Sequence, residues 1–242
     1  MRSSCESAHP ELFVQFGERP SCDVFIKLGG SILDLQGETA ALIPALTEFA
    51  LKYRILILTG GGQAVKRIKA NQRSRGTHFY SCWRAGVLYL EANAYLLASY
   101  STQFAVVSSL ADMAACFAAG KVGVFASLGA IVNSLSLVPD WEVTTDSMGL
   151  HFAAALGARR YVIISDVDGI YEKRPDEVPR SVPIPLLSAD ELESLPSSKL
   201  DRAFSDYFRR AALPTVIVNG LYPERVSAAI QGALTIGTRI EA

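Results

Sequence analysis

The chain contains 242 residues, of which 50% are hydrophobic and 19% are charged. This composition supports a sizeable buried core and argues against an intrinsically disordered chain. Because the formal net charge is only -1, the broad basic surface that marks nucleic-acid-binding proteins is not expected.

The cysteines and the apolar segments bear on the compartment. The cysteines form no CxxC pair, which is typical of free thiols in a reducing compartment. The N-terminus lacks the apolar run of a signal peptide, and Asp112 and Lys121 interrupt the apolar stretch 110–137. We therefore expect a cytoplasmic protein that binds neither membranes nor nucleic acids. The four cysteines are Cys5, Cys22, Cys82 and Cys116.

The first predicted strand, 23–28, follows a polar segment that we interpret as an N-terminal arm over residues 1–22. The strand carries Lys27 and runs into the turn Gly29-Gly30-Ser31. A strand lysine can extend to solvent at a sheet edge. A lysine beside a glycine turn is better explained as part of a phosphate-binding loop, because glycines let backbone N–H groups approach an anion.

A second glycine loop follows the next predicted strand. Helical spacing predicts a helix over 39–52, and the buried strand Ile55–Leu58 ends in Gly60-Gly61-Gly62, which opens a basic helix. The loop departs from a dinucleotide-binding fingerprint, because Val65 occupies the position of the third glycine and no acidic residue lies near Tyr80. A dehydrogenase is therefore not expected.

The part of the chain that follows is mostly helical. Aromatic residues at helical spacing in the long helix indicate core or subunit-contact positions, and Arg84 is the charged exception near its start. The pattern predicts a loop over 73–77, this long helix over 78–100, a strand over 105–107, a helix over 110–118, and a strand with turns over 122–137.

A central segment brings acidic residues to the edge of the sheet where the glycine loops lie. Thr144-Thr145-Asp146 offers N-caps for a helix that ends near Gly157. The apolar run Tyr161–Ile164 predicts a strand buried on both faces, with Asp166 and Asp168 at its carboxyl end. Open α/β sheets bind ligands at the carboxyl ends of their strands, so one crevice receives these carboxylates and a helix N-terminus.

The C-terminal part continues the alternation of helices and strands. Four prolines within 172–185 disfavour a helix or a central strand there. The alternation along the chain indicates an α/β fold with a mainly parallel sheet covered on both faces, in a single domain over 23–242. The predicted elements are a capped helix from Ser188, a helix over 199–212, a strand over 215–220, a helix from Pro223 and a strand over 236–240.

The residues at these strand ends match the needs of phosphoryl transfer. That reaction needs backbone donors, a lysine that neutralises charge, an acidic group that orients a lysine or cation, and a nucleotide site. The two glycine loops, Lys27, Asp146 and the segment 166–171 supply these parts. We therefore predict an ATP-dependent kinase.

Four ordered motifs resemble those of the amino acid kinase superfamily, which includes acetylglutamate kinase, aspartokinase and uridylate kinase. The resemblance implies a three-layer αβα sandwich, ATP and Mg²⁺ as cofactors, a small-molecule acceptor and a homo-oligomer. It also implies an acceptor-side lobe over about 23–140 and a nucleotide-side lobe over about 141–242. The motifs are Ile26-Lys27-Leu28-Gly29-Gly30-Ser31, Thr59-Gly60-Gly61-Gly62, Thr145-Asp146-Ser147 and Asp166-Val167-Asp168-Gly169-Ile170-Tyr171.

The resemblance implies a role for each candidate site residue. Lys27 and Asp146 are the predicted catalytic residues: Lys27 would neutralise the transferred phosphoryl group, and Asp146 would hold Lys27 in place. Lys199 is a candidate, by position only, for a second lysine against the leaving phosphate. No residue is predicted to be a metal ligand. The predicted phosphate- and acceptor-binding residues are Gly29, Gly30, Ser31, Gly60, Gly61, Gly62 and Arg84, and the predicted nucleotide-binding residues are Asp166, Asp168, Gly169, Tyr171 and Lys199.

Two branches of the superfamily compete for the function. Pro139–Ser147 resembles the phosphomonoester kinases of methanofuran biosynthesis, which phosphorylate an aminomethylfuran-methyl phosphate, and basic residues such as Lys66 and Arg84 favour such an acceptor. The segment 219–223 resembles molybdenum storage protein subunits, so a non-catalytic ATP-binding oxometalate storage or sensing protein is the alternative. Oxometalate clusters usually need histidines, and beyond the arm the chain has only His78 and His151.

Overall fold

Strand β1 (Val24–Leu28) lies in the interior of an eight-stranded sheet whose order is β3-β4-β2-β1-β5-β7-β8-β6. The computed structural model describes residues 21–173, 177–178, 180–195 and 199–241. Within them every strand pair is parallel except β7 with β8, which confirms the mainly parallel sheet. The other strands are β2 (Ile55–Thr59), β3 (Phe104–Val107), β4 (Val122–Phe125), β5 (Arg160–Ser165), β6 (Leu186–Ser188), β7 (Thr215–Asn219) and β8 (Thr238–Glu241).

Helices cover both faces of the sheet. Alternate residues of β1 point to opposite faces, so Phe25 belongs to one buried cluster with Phe152 and Phe204, and Ile26 belongs to another with Leu42. This arrangement confirms the three-layer αβα sandwich. The helices are α1 (Gly30–Leu33), α2 (Gln36–Thr47), α3 (Gly62–Arg75), α4 (Phe79–Ala98), α5 (Leu110–Ala118), α6 (Leu128–Val132), α7 (Thr145–Ala155), α8 (Ala189–Ser194), α9 (Phe204–Ala211) and α10 (Pro223–Gln231).

The register of the central strands aligns their carboxyl ends. Leu28 of β1 pairs with Thr59 of β2 on one side and with Ile164 of β5 on the other. Because the three strands are parallel, Gly29, the loop 60–62 and the residues that follow β5 all emerge at one edge of the sheet.

Several predicted boundaries are wrong. Helix α2 ends at Thr47 and not near Lys52, and the short helix α6 lies within the segment 122–137, for which the pattern predicts a strand with turns. Helix α3 continues through the predicted loop 73–77 as far as Arg75 and ends where Gly76 adopts the left-handed conformation (φ 59°), which glycine accepts without a steric penalty. The predicted helix 199–212 begins only at Phe204. Its first residues instead make side-chain bonds to other elements: Lys199 contacts Asp166, and the carboxylate of Asp201 caps α7.

The aromatic residues of α4 divide between core and surface. Trp83 is buried, as predicted for a core position, but Tyr80, Tyr89 and Tyr95 are exposed. Their predicted use in subunit contacts, and the homo-oligomer itself, stay predictions. Among the described residues, no helix has the length and apolar character needed to cross a membrane.

Candidate active site

The two glycine loops pack directly on each other at the carboxyl edge of the sheet. The N–H of Gly60 donates to the carbonyl of Leu28, and the N–H of Gly29 donates to the carbonyl of Ile164, each at 2.8 Å. A Cβ at Gly60 would lie 2.5 Å from the backbone nitrogen of Gly30, and a Cβ at Gly30 would overlap the backbone nitrogen of Gly62. Glycine is therefore required for the contact between the loops, in addition to any approach to phosphate.

We expect Gly30→Ala to lower the free energy of unfolding by about 2 kcal/mol or more, because overpacking against backbone atoms forces the loops apart. Urea denaturation measures this change. Gly129→Ala in α6 is the matched control, because a Cβ there meets open space. Equal stability of Gly30→Ala and the control would show that the loops tolerate a side chain.

An ion pair joins the two predicted catalytic residues. Lys27 Nζ lies 2.7 Å from Asp146 Oδ1, and the two side chains are 12% and 11% exposed. Asp146 stands in the first turn of α7, where its N–H donates to the hydroxyl of the N-cap residue Thr144 at 3.3 Å. The β1 strand and the start of α7 thus hold an ammonium and a carboxylate together beside the first glycine loop, and their catalytic roles stay predictions.

A further carboxylate, Asp201, is absent from the predicted site but fixes the start of α7. It accepts hydrogen bonds from the N–H of Thr144 at 2.9 Å and of Ser147 at 3.1 Å, and from both hydroxyl groups. Burial and the nearby charge of Asp146 raise the pKa of Asp201. An acidic residue in a predicted helix ordinarily faces solvent, so the sequence does not mark Asp201 as a site residue. The one hint in the sequence is that Asp201 lies two positions after Lys199.

A second ion pair joins two further candidate site residues, Lys199 and Asp166. Lys199 Nζ bonds Asp166 Oδ1 at 2.9 Å, and both side chains are a little over one third exposed. Partial burial opposes ionisation of Asp166, but the Lys199 ammonium outweighs it and lowers the pKa of that carboxyl group. Lys199, predicted by position only, is thereby placed beside a predicted nucleotide-binding residue.

A cavity of about 330 Å³ brings most of the predicted residues together. Both glycine loops and the two lysines Lys27 and Lys199 line it, and part of the lining is apolar. The predicted site residues that line it are Lys27, Gly29, Gly30, Ser31, Gly60, Gly61, Gly62, Asp166 and Lys199.

Arg84 does not line this cavity, and its role in binding phosphate or acceptor stays a prediction. Its guanidinium lies 5.8 Å from the ring centroid of Tyr80 on the exposed side of α4. Successive turns of α3 instead supply two basic residues to the cavity, Lys66 and Lys69. Helical spacing explains the difference, because one face of α4 packs inward and Arg84 is on the other.

Three predicted nucleotide-binding residues also lie outside the cavity lining. Asp168 accepts from Arg225 at 2.6 Å and from the amide of Asn219 at 2.9 Å. Gly169 packs so closely that a Cβ would lie 2.5 Å from Thr238 Oγ1, and Tyr171 is buried. The contacts of Asp168 and Gly169 join the segment after β5 to β7, β8 and α10, which gives these two residues a structural role. The nucleotide-binding role of all three residues stays a prediction.

The donor set is compatible with Mg²⁺ bound mainly through nucleotide phosphates. The described residues contain no group of three or more His, Cys, Asp or Glu side chains that could hold a metal ion. Mg²⁺ usually takes only one or two protein carboxylates in addition to substrate phosphates and water. Asp166, partly exposed at the cavity, fits that requirement.

Neither histidine beyond the arm lines this cavity. The imidazole of His78 accepts from the N–H of Ser81 at 3.3 Å and caps α4. His151 is buried in α7, with its ring next to Phe152 and Tyr207. Among the described residues, no histidine lines the cavity, whereas oxometalate clusters usually need histidines.

Similar proteins include several kinases. The chain is 26% identical over 225 residues to the [5-(aminomethyl)furan-3-yl]methyl phosphate kinase of Methanocaldococcus jannaschii, covering 89% of this chain and 96% of the relative. It is 28% identical over 224 residues to the uridylate kinase of Methanothrix thermoacetophila, covering 86% and 95%.

Solved structures and a family model agree with this similarity. The uridylate kinase of Archaeoglobus fulgidus superposes with a TM-score of 0.72 at 22% identity, covering 90% of this chain and 99% of that structure. The UMP kinase of Bacillus anthracis has the same TM-score at 18% identity, covering 92% and 97%. The model of the amino acid kinase family matches residues 24–219, most of the sequence, and the chain therefore belongs to that family.

Proposed function

We propose that this kinase transfers the γ-phosphoryl group of ATP to the phosphate of a small phosphate monoester and forms a diphosphate. An oxygen of the acceptor phosphate attacks the γ-phosphorus, the bond to the β–γ bridging oxygen breaks, and ADP leaves with that oxygen. The observation that carries the proposal is the buried Lys27–Asp146 pair, which lies where both glycine loops meet.

In this proposal each side chain contributes charge or position. Lys27 neutralises the charge that spreads over the transferred phosphoryl group, and Asp146 keeps the lysine in that position. The start of α3 favours anions, although the N–H of Gln63 already donates to Asp34 Oδ2 at 2.9 Å. Lys199, which also lines the cavity, stabilises the leaving phosphate, with Asp166 as its partner.

Mg²⁺ would be held by the nucleotide phosphates with Asp166 as a protein ligand, and when bound it supplies further neutralisation of phosphate charge. Both ATP and Mg²⁺ are typical of the kinase chemistry of the family. Asp166 keeps one oxygen available in this role, because its hydrogen bond to Lys199 uses Oδ1.

Lys66 supports a phosphorylated acceptor. It lines the cavity, and within the described residues it makes no hydrogen bond or ion pair. Lys69 is already engaged, since it bonds the carbonyl of Trp141 at 3.2 Å and lies 3.5 Å from Glu142. The names of the two curated relatives also denote phosphate-bearing acceptors, an aminomethylfuran-methyl phosphate and uridylate.

We expect ADP release from ATP and Mg²⁺ to depend on an added phosphate monoester. A coupled assay compares the aminomethylfuran-methyl phosphate and UMP with acetylglutamate and aspartate at equal concentration. Turnover with an amino acid only would overturn the proposal. Elemental analysis of the same preparation provides the control, because many molybdenum or tungsten atoms per chain without acceptor-dependent ADP release would identify a storage protein instead.

A further inference from the structure

Part of the cavity lining is apolar and aromatic. Helix α3 leads from the glycine loop at Gly62 to Lys69, roughly 10 Å at 1.5 Å per residue. The indole of Trp141 belongs to this part of the lining. The apolar lining residues are Val65, Trp83, Gly86, Val87, Leu90, Val143 and Met148, and the polar residues Lys69, Asp140, Thr144 and Thr145 also line the cavity.

Trp141 is held in this position from several directions. Its Nε1 donates to Gln72 Oε1 at 3.4 Å, and its carbonyl accepts from Lys69 Nζ at 3.2 Å. Its ring meets Phe79 edge-on with centroids 6.0 Å apart. The next residue, Glu142, lies 3.5 Å from Lys69 and from Arg73. The loop is thus tied to α3 and α4, and the indole forms a fixed wall.

Gly86 of α4 lies against the indole ring of Trp141. A glycine inside a helix costs roughly 0.5–1 kcal/mol relative to alanine, so its presence within α4 calls for a physical reason. A Cβ there would lie 3.3 Å from Trp141 Cζ3 and 3.6 Å from Val65 Cγ1. The missing side chain therefore lets the ring approach the helix backbone, and Trp141, Gly86 and Val65 together form what we call the aromatic slot.

We propose that the aromatic slot selects acceptors whose phosphate is joined to a small, planar, apolar ring, and that Trp141 is the specificity-determining residue. The inference rests on the proposed function, since it assumes that the acceptor phosphate lies near Lys66 and the glycine loop. The rest of the acceptor then extends along α3 to the indole, where an aromatic ring stacks favourably.

Cavity size and polarity limit the ring. A volume of about 330 Å³ lies at the lower end of the range for ligand pockets, roughly 300–1,000 Å³. The polar edge of a nucleobase would be desolvated against Val65, Val87 and Leu90, which provide no hydrogen-bonding side chain. The hydroxyl of Thr144 is engaged by Asp201. A small apolar ring is therefore preferred over uracil.

Steady-state kinetics with four acceptors tests this selectivity. Benzyl phosphate and furfuryl phosphate carry small apolar rings, isopentyl phosphate is an aliphatic match, and UMP carries a polar ring. Wild-type protein is expected to have higher kcat/KM for the first two. Trp141→Ala should raise KM for the ring-bearing acceptors roughly 5- to 150-fold, as loss of aromatic stacking does, with a smaller effect on isopentyl phosphate. Trp141→Phe should retain most of the preference.

Two further measurements separate selection from a general packing defect. Gly86→Ala, whose Cβ would lie 3.3 Å from the indole and shift it by a few tenths of an ångström, should raise KM for benzyl phosphate, and Gly129→Ala should not. Tyr95→Ala on the exposed face of α4 is the aromatic control. Benzyl phosphate should also change tryptophan fluorescence in wild-type protein, and this change should be smaller in Trp141→Phe, in which Trp83 is the remaining tryptophan of the cavity lining.

The outcomes distinguish this inference from the function on which it rests. Equal kcat/KM for isopentyl and benzyl phosphate, or an equal rise of KM for every acceptor in Trp141→Ala, would overturn the aromatic slot and leave the kinase proposal standing. A preference for UMP would do the same. If no monoester supported ADP release, the proposed function itself would fail.

Discussion

Lys27→Met is expected to lower kcat on the order of 100- to 1,000-fold, with any monoester that the wild-type protein phosphorylates. A fall in kcat of this size is expected because Lys27 stabilises negative charge on the phosphoryl group that develops mainly in the transition state. KM for ATP should change much less, since the glycine loops and Lys199 remain. Single-turnover kinetics with purified protein measure the chemical step directly.

Stability must be measured alongside, because Lys27→Met leaves the buried carboxylate of Asp146 without its partner. Removal of one member of a buried ion pair costs about 3–5 kcal/mol. The double variant Lys27→Met/Asp146→Asn removes both charges and should recover most of the stability while activity stays low. Lys52→Met is the matched control, since Lys52 is exposed and lies over Tyr53. Near-normal kcat in the stable double variant would show that Lys27 is not catalytic.

The parts of the site that could be predicted have local sequence signals. Lys27 precedes a glycine turn, and Gly60-Gly61-Gly62 follows an apolar strand, so the parallel sheet alone brings them to one edge. The capping box of Ser188 and Glu191, with reciprocal side-chain bonds, is equally local and forms as predicted.

The parts that could not be predicted depend on contacts between residues far apart in the sequence. Asp201 bonds Thr144 across 57 positions, and Trp141 meets Gln72 across 69. Helical spacing can show that α4 has an inner and an outer face, but the side on which Arg84 falls depends on how α4 packs against α3 and the sheet. Such packing is not encoded in any one segment.

For the glycine loops, the sequence predicts the positions of the glycines but only part of the physical reason for them. Glycine beside a lysine indicates close approach to an anion. The structure adds a second demand, because Gly30 and Gly60 contact each other's backbone. Loop packing and phosphate binding thus require the same residue type, so sequence alone cannot separate them.

Asp201→Ala is expected to destabilise the protein by about 3 kcal/mol or more and to lower kcat on the order of 10- to 100-fold. A buried donor left without an acceptor costs about 1–3 kcal/mol, and the N–H groups of Thr144 and Ser147 would both lose theirs. The first turn of α7 also carries Asp146, so its displacement moves Lys27. A shift of about 1 Å at a positioning residue can cost 100-fold in rate.

The split between kcat and KM decides whether Asp201 positions the catalytic pair or only supports α7. A positioning role predicts that kcat falls while KM for ATP and acceptor stays within a few-fold of wild type, and that Asp201→Glu or Asp201→Asn recovers part of kcat. Asp206→Ala is the matched control, because Asp206 is an exposed carboxylate of α9. Lower stability of Asp201→Ala with unchanged kcat would restrict Asp201 to a structural role, since a folded fraction that retains full turnover has Lys27 in its working position.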